Sequence, residues 1–203
     1  ANSEVLANMS HERRTPLNAI NGYAQMIEME TYGPVGNDRY LEYVNHIRES
    51  GDHLLGIIDD ILDLTRIEAG KMQLEEEYVD LGHTVSSCLH FLASRIEDKE
   101  LTVSSPPASD WPTLRADPRM VRQMLLNIMS NAMKFSLPGK HIDLLCQHNA
   151  DESLTIVVKD SGIGMSKPEL MLAMERFGQV ESALSRQNDG TGLGLPLVRS
   201  QVE

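Results

Sequence analysis

A seven-residue recurrence of apolar side chains constrains the first third of this chain more than any other feature. Tyr40, Ile47, Leu54 and Ile61 fall one heptad apart, flanked by Val44, Ile57, Ile58 and Leu64. That spacing draws one broad apolar stripe along an α-helix. Upstream, Leu6, Ile20 and Ile27 share a heptad phase, with Leu17 and Ala24 on the neighbouring stripe. Gly33-Pro34-Val35-Gly36 interrupts the pattern, and Asn37 or Asp38 is placed to cap the second helix. The two helices form a hairpin whose apolar faces are too broad to be buried by one pairing. Either a second copy completes a dimeric four-helix bundle, or the hairpin packs on the rest of its own chain.

After Glu68-Ala69-Gly70-Lys71 the period changes. Met72 to Leu81 reads as a linker or short extended piece, and Asp80 can cap a helix running towards Lys99. Leu101 to Ser104 is a candidate strand, and Asp117-Pro118 opens a helix with an N-cap acid and a first-turn proline. Met120, Leu125, Ile128 and Ala132 are its expected inward residues. His141 to Gln147 and Leu154 to Asp160 read as strands joined by a polar turn, and Ser166-Lys167-Pro168-Glu169 has capping-box spacing. This order predicts an α+β sandwich with helices on one face of a mixed sheet. The expected division is a helical domain at 1–71, a linker at 72–79 and the α+β domain at 80–203.

Composition excludes several classes. A formal net charge of −12 over 203 residues argues against a nucleic-acid binder, which would carry a basic face. No apolar run is long enough to span a membrane, and no export signal opens the chain, so a soluble cytoplasmic location is expected. Cys88 and Cys146 lack metal-site spacing and read as buried thiols.

Three clusters in the second region carry chemistry. Asn127, Asn131 and Lys134 lie four and three residues apart on one helix face. Amide oxygens and an ammonium together suit a metal-bound triphosphate, with oxygen for Mg²⁺ and the cation for phosphate. Asp160-Ser161-Gly162-Ile163-Gly164 ends a strand, where a carboxylate can accept from an adenine amino group while the glycines allow close approach. Gly190-Thr191-Gly192-Leu193-Gly194 leads into an apolar helical stretch, the pattern of an anion site built from free backbone amides. Alone, each is more often a turn, a flexible loop or a solvated face.

Together and in this order they resemble the N, G1 and G2 boxes of the GHKL (Bergerat-fold) ATP-binding domain. Glu175-Arg176-Phe177-Gly178-Gln179 stands where that family has its F box, and Val180 to Asp189 would be its lid over ATP. The resemblance implies nucleotide contacts from Asn127, Asn131, Lys134, Asp160, Gly162, Gly164, Phe177, Gly190, Thr191, Gly192, Leu193 and Gly194, with Asn131 as the Mg²⁺ ligand. In the first region, Ser10-His11-Glu12-Arg13-Arg14-Thr15-Pro16-Leu17 resembles the H box of the HisKA dimerisation and phosphotransfer domain. Independently of that likeness, His11 shares its phase with Glu4, Asn18, Gln25 and Tyr32, a polar face. A wet imidazole is a competent nucleophile near neutral pH, and Glu12 can orient it and take its proton. His46, His53, His83, His90, His141 and His148 read as surface residues.

The resemblance implies a sensor histidine kinase core, with autophosphorylation of His11 by Mg-ATP and transfer to a response-regulator aspartate. ATP-hydrolysing members of the superfamily resemble this N box but carry a glutamate where Asn127 stands here, and an amide cannot act as a general base. Glu12-x-x-Thr15 matches the family's phosphatase motif. The implied partners are a second copy through the bundle and a receiver domain, and the resemblance leaves membrane attachment of the parent protein open. The family usually continues with further strands beyond a position such as Glu203, so the ATP-binding domain is expected to be incomplete here. A nucleotide-binding pseudokinase, a superfamily serine kinase and a dimeric signalling scaffold are the competing readings. Arg13 departs from the H box, which usually has an apolar residue there. It is expected either to pair with Asp60 inside the bundle or to be exposed by a kink at Pro16.

Overall fold

A computed structural model describes residues 17–31, 33–151, 153–180 and 191–202. The chain splits into two compact units, Ala1–Met72 and Gln73–Glu203.

In the first unit, residues 17–28 are helical (α1) and a turn leads to α2 (Asp38–Glu68). Of the two candidate caps, Asn37 fills the role: its side chain accepts from Arg39 N–H at 3.0 Å. Ala24 and Val44 are buried, while Ile20, Ile27, Tyr40, Ile47 and Leu54 stay exposed. Polar groups link the two helices: Asn21 Nδ2 donates to Asp52 Oδ1 at 2.7 Å, and Arg48 Nε to Glu28 Oε2 at 3.0 Å. His11, Glu12, Arg13 and Thr15 lie outside the described residues, and so does any pairing of Arg13 with Asp60.

The second unit contains β1 (Glu77–Asp80), α3 (Leu81–Phe91), α4 (Ala93–Asp98), β2 (Thr102–Ser104), β3 (Thr113–Ala116), α5 (Pro118–Phe135), β4 (His141–His148), β5 (Leu154–Lys159), α6 (Lys167–Ala173) and α7 (Gly194–Val202). β1 pairs antiparallel with β3, and a separate sheet has the order β2-β4-β5, parallel then antiparallel. The core joins Leu81, Val85, Cys88 and Leu92 to Leu125, Met129 and Met133 of α5 and to Ile142 and Leu144 of β4. Fully burying one such aliphatic side chain stabilises the fold by about 1.5–3 kcal/mol. Cys88 and Cys146 are free thiols, both pushed up in pKa by burial.

Four details differ from the sequence reading. The helix after Asp80 is interrupted at Leu92, whose side chain is 1% exposed, so α4 is a separate helix. On α5 the deep residue is Met129 and not Ile128, because the buried face runs through Val121, Leu125, Met129 and Ala132. β3 was not anticipated, and its pairing makes Glu77–Asp80, within the stretch read as a linker or short extended piece, a strand of the second unit. The two sheet strands end one residue from their expected limits, at His148 and Lys159. All six histidines read as surface residues are exposed. Among the described residues no helix is long and apolar enough to cross a membrane.

Candidate nucleotide site

α5 organises the site. Its start is fixed by Asp117, whose buried carboxylate accepts from Arg119 N–H and Glu75 N–H at 3.0 and 3.1 Å and from the Arg119 guanidinium at 2.9 Å. The Arg119 side-chain bond holds this carboxyl well down, to a pKa of about 2. Asn127, Asn131 and Lys134 are all half-buried, and Lys134 Nζ stands 5.1 Å from the centroid of the Phe135 ring.

The Asp160 loop meets the far end of this helix. Ser136 and Gly162 form an antiparallel bridge, and Gly162 N–H donates to Asp160 Oδ1 at 2.8 Å. A Cβ on Gly162 would stand 2.6 Å from that oxygen and 2.7 Å from the Phe135 carbonyl, so only glycine permits this approach. Asp160 is exposed, with its carboxylate oriented by the Gly162 amide, and Gly164 sits beyond it in open surroundings.

The third cluster meets α5 at Asn127. Phe177 has φ 60° and donates from its N–H to the Gly192 carbonyl at 3.0 Å. Gly192 has φ +67°, and a Cβ there would lie 2.8 Å from the Phe177 carbonyl carbon. Thr191 Oγ1 accepts from Leu193 N–H at 3.2 Å, and Leu193 and Leu197 anchor the start of α7 in the interior. Gly194 then abuts Asn127: a Cβ would stand 3.5 Å from its Cγ. Contacts therefore tie Asp160 and Gly162 to one end of α5, and Gly194, Gly192 and Phe177 to its Asn127 side. Gly190 lies outside the described residues, as do residues 181–189 of the expected lid.

Two features of this region escaped sequence reasoning. Lys99 Nζ donates to three backbone carbonyls at the end of α5, described below; no motif marks a lysine whose partners are main-chain atoms. Ser104, His141 and Asp143 cluster on the β2–β4 pair, where Ser104 Oγ donates to Asp143 Oδ1 at 2.7 Å. Both contacts of the imidazole use Nε2, at 3.1 Å to Ser104 and 2.9 Å to Asp143, so there is no nucleophile–base–acid relay. The Ser104 hydroxyl, and next His141, keep the Asp143 carboxyl below its ordinary range.

Fold and site together define a helical-hairpin domain joined to an ATPase-type α+β sandwich. Residues 1–70 match the family model of the His Kinase A (phospho-acceptor) domain, and residues 116–203 that of the histidine kinase-, DNA gyrase B- and HSP90-like ATPases. The chain belongs to the sensor histidine kinases, of which it carries these two core domains. It is 38% identical to the cell-division control histidine kinase PdhS of Brucella ovis, over 99% of this chain and 20% of that protein. Among solved structures it resembles full-length ShkA in complex with AMPPNP, with TM-score 0.74, 31% identity, and coverage of 98% of this chain and 40% of that one. The histidine kinase AdeS of Acinetobacter baumannii shares the fold, with TM-score 0.61, 21% identity, and coverage of 95% of this chain and 85% of that one. The chain spans about a fifth of the length of the curated relatives it matches.

Proposed function

We propose that this chain is the catalytic core of a two-component sensor kinase, which moves the γ-phosphoryl group of ATP to His11 and then to an aspartate of a receiver domain. The observation that carries the reading is at Asn127. Its Nδ2 is buried without a hydrogen-bond partner among the described residues, beside the glycine that opens α7. A buried polar atom in that position costs free energy unless a ligand completes it, and it borders the backbone amides that suit a phosphate chain.

The donor set also fits Mg²⁺. Among the described residues there is no group of three or more acidic, histidine or cysteine side chains that would hold a metal by themselves. An amide oxygen such as that of Asn131, acting with the nucleotide's own oxygens, suits an ion that favours oxygen and keeps much of its hydration. Mg²⁺, when bound, supplies charge neutralisation of the triphosphate.

Asp160 orients the base through its carboxylate, Lys134 meets phosphate charge, and Gly192 and Gly194 present main-chain amides. An imidazole nitrogen of His11 attacks the γ-phosphorus, forming an N–P bond as the bond to the β-phosphate oxygen breaks and ADP leaves. Glu12 takes the imidazole proton. Asn127 cannot act as a base towards water, which favours this acceptor over hydrolysis. Thr15, four residues after His11 in the sequence, places a water for hydrolysis of a phospho-aspartate, which releases inorganic phosphate. The exposed stripe of Ile20, Ile27, Tyr40, Ile47 and Leu54 supports a homodimer through the hairpin.

The test is incubation with γ-labelled Mg-ATP, followed by addition of a receiver domain. Acid-labile, base-stable label that then moves to the receiver is the expected result. Release of inorganic phosphate with no labelled protein would overturn the reading.

A further inference from the structure

The last turn of α5 is gripped from outside the helix by Lys99, the residue that ends α4. Its Nζ donates to the carbonyls of Lys134 at 2.7 Å, Met133 at 3.0 Å and Ser136 at 3.4 Å. The final carbonyls of an α-helix lack partners within the helix and carry the negative end of its dipole. An ammonium has three N–H donors and no acceptor, so one side chain answers all three carbonyls with charge-assisted bonds. The Lys99 main chain joins the same clasp, its carbonyl accepting from Gly139 N–H at 2.9 Å. Lys99 falls outside the stretches matched by the two family models, 1–70 and 116–203.

What this turn carries gives the grip its meaning. Lys134 belongs to it, the Phe135 carbonyl lies against Gly162, and Ser136 bridges to Gly162, whose amide holds the Asp160 carboxylate. From Lys99 Nζ to Asp160 Oδ1 the path is continuous: ammonium, Ser136 main chain, Gly162 main chain, carboxylate. A shift of the helix end would therefore move the group that meets adenine and the cation that meets phosphate together.

We propose that Lys99 is a positioning residue of the nucleotide site, setting Lys134 and Asp160 through the carbonyls of Met133, Lys134 and Ser136. This rests on the reading of the site as an ATP site. Arginine cannot replace it fully, because a planar guanidinium spreads its donors in one plane rather than towards three converging carbonyls.

The test compares Lys99→Met and Lys99→Arg with Val85→Ala, a core truncation at a residue 2% exposed in α3 that lowers stability and removes none of the Lys99 hydrogen bonds. Binding of Mg-ATP and Mg-GTP is measured by calorimetry well below each melting temperature. Lys99→Met should raise the Kd for Mg-ATP roughly tenfold, the scale of one hydrogen bond to a charged group, and shrink the preference for ATP over GTP. Lys99→Arg should fall between, and Val85→Ala should leave both quantities unchanged. If Lys99→Met does not fold, Lys99→Arg carries the test, with a severalfold rise in Kd and a reduced preference expected. Wild-type affinity and preference in the Lys99 variants would overturn the positioning role, as would an equal change in Val85→Ala. Failure of the wild-type chain to bind Mg-ATP would overturn the ATP-site reading and this role with it.

Discussion

Asp160 and Asp117 show two different uses of a carboxylate within one unit. Asp160 is exposed and committed by one hydrogen bond to Gly162, which leaves its outer oxygen free to accept from adenine. Asp160→Asn keeps an acceptor for the glycine amide but presents the wrong charge to the base. It should weaken ATP binding by about 1.5–3 kcal/mol and relax discrimination against GTP; undiminished discrimination in calorimetry would remove Asp160 from base recognition. Asp117 is instead buried and paired, with a pKa depressed from 3.8 to about 2. A depressed folded-state pKa stabilises the fold above the unfolded value, and that contribution is lost as pH falls through about 4 to 2. Asp117→Asn should cost at most about 2 kcal/mol at pH 7, and denaturant titrations should show the gap to wild type closing across that acid window. Both aspartates were legible in the sequence, one ending a strand and one preceding a proline. Lys99 was not, because its acceptors are main-chain atoms 34 to 37 residues away and carry no sequence signature.

At the scale of elements, what could be read ahead depended on how local the signal was. The Ser166 capping box is present with both of its hydrogen bonds, and Asp80 and Asp117 cap α3 and α5. These are contacts within a few residues, fixed by side chain and backbone chemistry alone. The β1–β3 pair depends on strands more than thirty residues apart, such as Glu77 opposite Ala116, and each is only four residues long. The break at Leu92 falls at a buried residue with φ −94° and ψ 4°, with no glycine or proline to announce it. Met120, Leu125 and Ala132 of α5 face inward as expected, whereas Ile128 is half-buried and its neighbour Met129 is deep, since both are apolar and only the packed core distinguishes them. The meeting of Phe177 with Gly192 is an element-level contact that no local signal in the sequence announced. Gly192→Ala would force a side chain into φ +67° and against the Phe177 backbone. It should cost more than about 1 kcal/mol in stability and weaken ATP binding as well. A melting curve and Kd matching wild type would mean that this junction is not shared by fold and site.

Across the whole chain, two units differ in hydrophobic period, and the proposed reaction would draw on both. The change of period near residue 70 was legible because helical and mixed α+β patterns differ over many residues, whereas the pairing of Glu77–Asp80 was not, since its partner strand lies more than thirty residues further on. The first unit turns one apolar stripe inward, through Ala24 and Val44, and leaves the heptad stripe of Tyr40, Ile47 and Leu54 exposed. The second gathers three separate motifs around α5. The account joins them through one claim, that phosphate from the ATP site reaches His11. It is tested most directly by mapping the phosphorylated residue after incubation with Mg-ATP, in the wild-type chain and in His11→Gln. Acid-labile phosphate should lie on His11 alone and vanish in His11→Gln, while Mg-ATP affinity and oligomeric state match wild type. Equal labelling of His11→Gln, or acid-stable phosphate on a hydroxyl residue, would contradict the account.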